Sequence, residues 1–167
     1  MKRLGEQGGN FRNLRIAIIG VGNEFRGDDA AGLLCVRNLK KCVHQNEAEI
    51  VELSADISTL LEIIPKWDAV IIIDAIQSIA APGTILRIDP AKAIKTGVYF
   101  SSSTHSIDLF ELIKLSKITN KPEVRVVVYG IVGKNFSFST IVSPVVKVAT
   151  ERICDRIKWE LRKLGYG

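Results

Sequence analysis

Apolar and polar positions along the chain sort into strands and helices that alternate. Residues 14–19 form a short β-rich apolar run ending at Gly20; after a polar loop, Asp28 and Asp29 open a helical pattern through Leu33, Leu34, Val36, Arg37 and Leu39. Residues 49–53 predict a second strand, and residues 57–64 a helix stopped before Pro65. Residues 68–74 predict a third strand with a nearly continuous Val and Ile core, and a strand apolar on both faces implies a buried parallel sheet. Pro82 and Gly83 lead into a strand over residues 84–88, and residues 106–117 make a helix with Ile107, Phe110, Leu112 or Ile113, and Leu115 on its apolar side. Residues 123–132 give a last long strand. Residues 143–164 close the chain as a helix, with Ser143 as N-cap, Pro144 at the tolerated first helical position and Gly165 beyond the end. Strands alternating with helices in this way predict an α/β three-layer sandwich.

Composition narrows the class. The chain has 167 residues, 47% of them hydrophobic. That is the size of one domain, able to bury roughly 70% of its unfolded surface without disulfides or a structural metal. The longest apolar stretches, residues 69–73 and 126–128, fall far short of the ~20 residues a membrane span needs. The first ten residues are basic but lead into no apolar stretch, so no secretory signal is expected, and residues 1–13 read as a flexible tail before a single domain over residues 14–167. The 23 Lys and Arg against 18 Asp and Glu leave a formal charge of +5. The positive residues scatter over helix faces and tail rather than forming a stripe interleaved with aromatics, which argues against nucleic acid. Cys35, Cys42 and Cys154 are odd in number, lack Cys-x-x-Cys spacing and fall in segments that read as helices, arguing against a disulfide framework or thiolate metal site and for a reducing cytoplasm.

The candidate chemistry lies at strand ends. Gly20-Val21-Gly22-Asn23-Glu24-Phe25 follows a strand and opens a helix like a dinucleotide loop, but Phe25 stands at the third glycine position. Asp28 and Asp29 also put negative charge where a pyrophosphate needs free N–H groups. Asp28 is expected to be an N-cap, whereas Asp29, inside the helix, projects toward the carboxyl end of the first strand and suits a ligand or catalytic role. Asp74 is expected to end the third strand, where a carboxylate needs hydrogen bonds, a cation or a metal as partner. First and third strands are often neighbours in doubly wound sheets, and ligands bind outside their carboxyl ends, so Asp29 and Asp74 would face one another. Of the two histidines, His44 is expected to be exposed or helix-capping, while His105 follows the small-polar loop Ser101-Ser102-Ser103-Thr104 at a helix start and suits a ligand position. Two carboxylates and an imidazole suit a borderline divalent metal such as nickel or zinc. No serine stands in a Gly-x-Ser-x-Gly elbow.

The order of these motifs resembles the endopeptidases that mature the large subunit of [NiFe] hydrogenases. Gly20-Val21-Gly22-Asn23 with Asp28-Asp29 and Gly32 looks like the family's opening motif, Ile72-Ile73-Asp74-Ala75 its third-strand acid, and Ser103-Thr104-His105 its histidine loop. Pro82-Gly83-Thr84 and Ser143-Pro144-Val145 are similar to weaker features. The chain departs from the pattern at Ala30, in the Leu53-Ser54-Ala55-Asp56-Ile57-Ser58-Thr59 loop, and at Gly133. The resemblance implies a three-layer α/β/α sandwich around a mixed, mostly parallel, roughly five-stranded sheet of the phosphorylase/hydrolase-like kind. It also implies an aspartic-type endopeptidase that removes a C-terminal extension from the large-subunit precursor after nickel insertion.

In that resemblance the metal-contacting positions fall on Asp29, Asp74 and His105, with Asp29 or Asp74 as the catalytic carboxylate. The nickel is expected to be supplied by the substrate, with a different divalent metal left open as an occupant of the free enzyme. The expected partner is the precursor, the protein itself a cytoplasmic monomer. Two rivals stand beside this reading: a non-hydrolytic, metal-sensing chaperone of the precursor, and a Rossmann-like nucleotide-binding enzyme.

Overall fold

A computed structural model of the protein describes residues 14–54, 56–92, 109–119 and 123–164. Five strands, β1 (Ile16–Val21), β2 (Glu49–Leu53), β3 (Ala69–Ile76), β4 (Ile85–Ile88) and β5 (Arg125–Val132), make one sheet in the order β2-β1-β3-β5-β4. All neighbours run parallel except β4, which lies antiparallel to β5. The sheet is thus mixed and mostly parallel, as expected.

Alternation along the central strands divides the core in two. Ile16 and Ile18 of β1 and Ile71 and Ile73 of β3 face α1 (Ala31–Leu39) and the last helix, α4 (Pro144–Lys163), meeting Cys35, Val36, Ile153 and Ile157. Ala17, Ile19, Val70 and Ile72 point the other way, against α2 (Leu60–Ile63) and α3 (Leu109–Thr119) through Leu60, Phe110 and Ile113. Every residue of β1 and β3 is buried, so neither face of these strands meets water. That is why their sequences are continuous apolar runs rather than alternating ones.

Several boundaries differ from the sequence reading. β3 continues two residues past Asp74 because β5 continues beside it, pairing Asp74 with Gly130, Ala75 with Ile131 and Ile76 with Val132. The segment expected as one helix over residues 57–64 is the α2 turn between two 3-10 turns, Ile57–Thr59 and Ile64–Lys66, the second of which contains Pro65. Proline fits there because a first-turn residue needs no N–H donor. Cys42 lies in the turn after α1 rather than in a helix, and all three cysteines are free thiols. No helix among the described residues is long and apolar enough to cross a membrane. Residues 1–13 lie outside the described residues.

Candidate active site

The site is built where β1 and β3 end side by side. The turn from β1 to α1 begins with Gly27, whose φ of 57° is a left-handed conformation that glycine adopts without steric cost. A 3-10 turn, Gly27–Ala30, then carries Asp28 and Asp29 into α1. The helix packs so close to the sheet that a Cβ on Gly32 would run into the carbonyl oxygens of Val21 and Ile73 and lie 2.9 Å from the Val21 nitrogen. Gly32 therefore lets the start of α1, and Asp29 with it, sit directly over the carboxyl ends of β1 and β3. Asn23 secures the loop: its carboxamide oxygen accepts from the Phe25 N–H at 2.9 Å, and its own N–H donates to the Asp29 carbonyl at 3.3 Å.

Asp29 and Asp74 are fully buried, at 0% and 1% exposure. The Ala75 N–H donates to Asp74 Oδ1 at 2.8 Å. Burial pushes the Asp74 carboxyl well above the usual carboxylate range, the negative charge of Asp29 beside it pushes it further, and the Ala75 hydrogen bond only partly opposes them. That charge effect puts the two expected acids near one another at this edge. Asp74 is not at a strand terminus, however, but within β3.

Asp28 is not an N-cap. No side chain caps this turn, and the Asp28 carboxylate instead accepts from Lys134 N (2.7 Å), Asn135 N (2.9 Å), Ser143 N (2.6 Å) and Ser143 Oγ (2.9 Å). Burial alone would raise its pKa, but these four bonds outweigh it and hold the carboxyl below its ordinary value. Ser143 does occupy the N-cap position of α4, yet its hydroxyl goes to Asp28 instead of capping, while its carbonyl accepts from Val146 and Lys147 at 3.0 Å each. Sequence reasoning missed this tie because its partners lie more than 100 residues from Asp28. The only local hint was an acid doublet, which one helix start does not need.

His105 and its Ser101–Thr104 loop lie outside the described residues, so the expected third position of the site is not described. Among the described residues no three His, Cys, Asp or Glu side chains gather as a metal-ligand group. His44 is exposed between α1 and β2, where its backbone N–H donates to Glu47 Oε2 at 2.8 Å.

The glycine loop is poorly suited to a phosphate. Its N–H groups are already committed: Gly22 to the Leu53 carbonyl, Gly27 to Ser139, Asp28 to Asn135 and Asp29 to Arg26, at 2.7–3.2 Å. A nucleotide would have to displace these bonds and approach two buried acids. What the arrangement suits is acid–base work at a buried carboxyl, Asp74, whose proton affinity is raised by burial and by the charge of Asp29.

A buried acid pair at the parallel edge of a three-layer α/β sandwich is compatible with a hydrolase. Comparison with known proteins makes the class specific: the chain matches the family model HycI, hydrogenase maturation protease, over residues 33–160, and it belongs to that family. The matched stretch includes Asp74 and begins within α1, just beyond Asp29. The chain is 31% identical over 153 residues, 89% of its length, to a Methanocaldococcus jannaschii relative named for the same maturation activity, of which it covers 97%. It is 27% identical over 156 residues to the hydrogenase 2 maturation protease of Escherichia coli, covering 91% of this chain and 93% of that protein. The crystal structure of the [NiFe] hydrogenase maturation protease HycI from Thermococcus kodakarensis superposes with a TM-score of 0.73 at 28% identity, covering 89% of this chain and 92% of that one.

Proposed function

We propose that this protein hydrolyses one peptide bond near the C-terminus of a [NiFe]-hydrogenase large-subunit precursor after nickel insertion, with Asp29, Asp74 and His105 reading the substrate's nickel. The observation that carries the reading is the fully buried Asp29–Asp74 pair at the carboxyl edge of β1 and β3. Family membership supplies the substrate class, and the acid pair supplies a means of activating water.

In this scheme a carboxylate of the pair takes a proton from water as it adds to the scissile carbonyl, and that proton passes to the leaving amine as the C–N bond breaks. Burial and the charge of Asp29 raise the proton affinity of Asp74 in the metal-free site, which makes it the member of the pair assigned the base role. Asp29, Asp74 and His105 would hold the substrate's nickel at this edge, and the metal would supply polarisation of the scissile carbonyl there. Precursor without nickel lacks those contacts, so binding that aligns the peptide bond depends on the metal, which gives selectivity for loaded substrate.

The test is the intact mass of a nickel-loaded precursor, with a nickel-free control, before and after incubation with the protein. Loss of a C-terminal peptide in the nickel sample alone is the expected result. Nickel-dependent association with no change in mass would replace the protease by the metal-sensing chaperone.

A further inference from the structure

The Asp28 tie has a scale and a direction that a loop contact does not require. The turn over residues 25–28 is sewn to the segment that follows β5 by a series of bonds beyond the carboxylate. Asp28 N donates to the Asn135 carbonyl at 2.8 Å, Gly27 N to the Ser139 carbonyl at 2.7 Å, and Ser139 N back to the Phe25 carbonyl at 2.9 Å. Arg26 Nε reaches the Phe136 carbonyl at 3.4 Å, and Arg26 and Ser139 pair as a parallel bridge. Residues 133–143 thereby become one wall bonded to the turn that leads into Asp29. On that wall, and on the turn it is sewn to, sit large apolar side chains left in water: Phe138 at 87% exposure, Ile141 at 73% and Phe25 at 58%.

We propose that Asp28 is a positioning residue for the protease reaction, its carboxylate holding residues 133–143 in place as a preformed apolar wall against which the protein substrate docks beside Asp29 and Asp74. The inference rests on the proposed function for its substrate, the large-subunit precursor, and adds which chain segment receives it. A substrate of this kind must place one peptide bond over a buried acid pair, so it has to make contact at this edge of the sheet. Three exposed aromatic and aliphatic side chains carried on one hydrogen-bonded backbone unit offer contact area there without the cost of ordering that backbone at binding. The chemistry of the tie also explains the residue. Four donors converge on Asp28, and an ionised carboxylate is the side chain of this length that accepts from all of them. An asparagine would turn its own N–H2 group toward either Ser143 N or the Lys134 and Asn135 pair.

The experiment compares wild type, Asp28→Asn, Ser143→Ala and Phe138→Ser/Ile141→Ser by amide hydrogen exchange on the free protein and by steady-state cleavage of nickel-loaded precursor. Wild-type cleavage is the control for the proposed function; if wild type cleaves nothing, that reading fails, whatever the exchange shows. With wild type active, Asp28→Asn is expected to lose protection at Lys134, Asn135 and Ser143 while β3 keeps its own, and to raise KM about tenfold or more with kcat within about threefold. Ser143→Ala, which removes one donor and leaves the carboxylate, should fold normally and shift KM the same way by a smaller factor. The Phe138→Ser/Ile141→Ser variant should raise KM with wild-type protection. The proposal is overturned by unchanged protection in Asp28→Asn, by lost protection with unchanged KM, by a fall in kcat alone, or by a wild-type KM in the Phe138→Ser/Ile141→Ser variant.

Discussion

Replacing Asp74 with asparagine separates stability from function at one atom. The side chain is 1% exposed, and asparagine keeps an oxygen where Oδ1 accepts the Ala75 N–H at 2.8 Å, so neither packing nor that bond is lost. What disappears is a carboxyl whose ionised form is disfavoured by burial and by Asp29 beside it. Relief of this kind of strain in an active site commonly stabilises a protein by about 0.5–2 kcal/mol. The fold should therefore become more stable at neutral pH, and a gain of about 1 kcal/mol corresponds to about 2–4 °C in Tm for a chain of this size. The sign with pH follows from the raised carboxyl of Asp74. A group whose folded-state pKa lies above its unfolded value contributes stability that is complete below the unfolded value, about 3.8, and is lost as pH rises through the folded one. The stability difference between Asp74→Asn and wild type should thus be small in acid and widen as pH rises. Urea unfolding at a series of pH values measures it, and cleavage of nickel-loaded precursor, read in parallel, should fall about 10²–10⁴-fold. A variant less stable than wild type at neutral pH, or a difference that does not change with pH, would refute the account of a strained acid pair.

Two other perturbations test the frame around the site. Gly32→Ala drives a methyl group into the backbone of β1 and β3, which cannot move as a side chain can, and should cost about 1–3 kcal/mol in urea unfolding together with most of the cleavage activity, because α1 carries Asp29. Glu160, 3% exposed, accepts from Arg87 Nε and Nη2 at 2.7 Å each and from the Tyr129 hydroxyl at 3.0 Å, and these bonds, Arg87 foremost, hold its carboxyl below the ordinary value. Its stabilisation is present above the unfolded pKa of about 4.5 and is lost as pH falls through the folded value, so Glu160→Gln should destabilise by about 2–3 kcal/mol at neutral pH and flatten the acid limb of a stability–pH curve.

The layers of the fold were legible because burial on both faces leaves a local trace. Ile71, Ile72 and Ile73 in one run announce a central strand whatever lies around them, and the paired acids after a glycine loop mark a strand-to-helix junction. Boundaries failed where the deciding partner was distant. β3 outlasts Asp74 because β5 runs on beside it, a pairing between residues more than 50 positions apart. Local rules also assigned Asp28 the role that local rules know, an N-cap, when donors on residues 134, 135 and 143 had already claimed its oxygens. Glu160 gave no signal at all, since a glutamate on a surface helix is ordinary until Arg87 and Tyr129 are seen to enclose it.

Asp28 and Asp74 show how one sheet edge assigns opposite roles to two carboxylates hidden from solvent, Asp74 the deeper of the two. Both are removed from water, and burial pushes both toward the neutral form. Asp28 receives four donors, which stabilise its charge and occupy the oxygens that would otherwise take a proton. Asp74 has the Ala75 N–H and a negative neighbour, so its charge is costly and its affinity for a proton high. A base for water at neutral pH has to bind a proton readily once the reaction offers one, and a saturated carboxylate cannot. The acid doublet therefore divides: Asp28 ties the segment after β5 to the turn, and Asp29 stands with Asp74 as the pair to which the proposed hydrolysis is assigned.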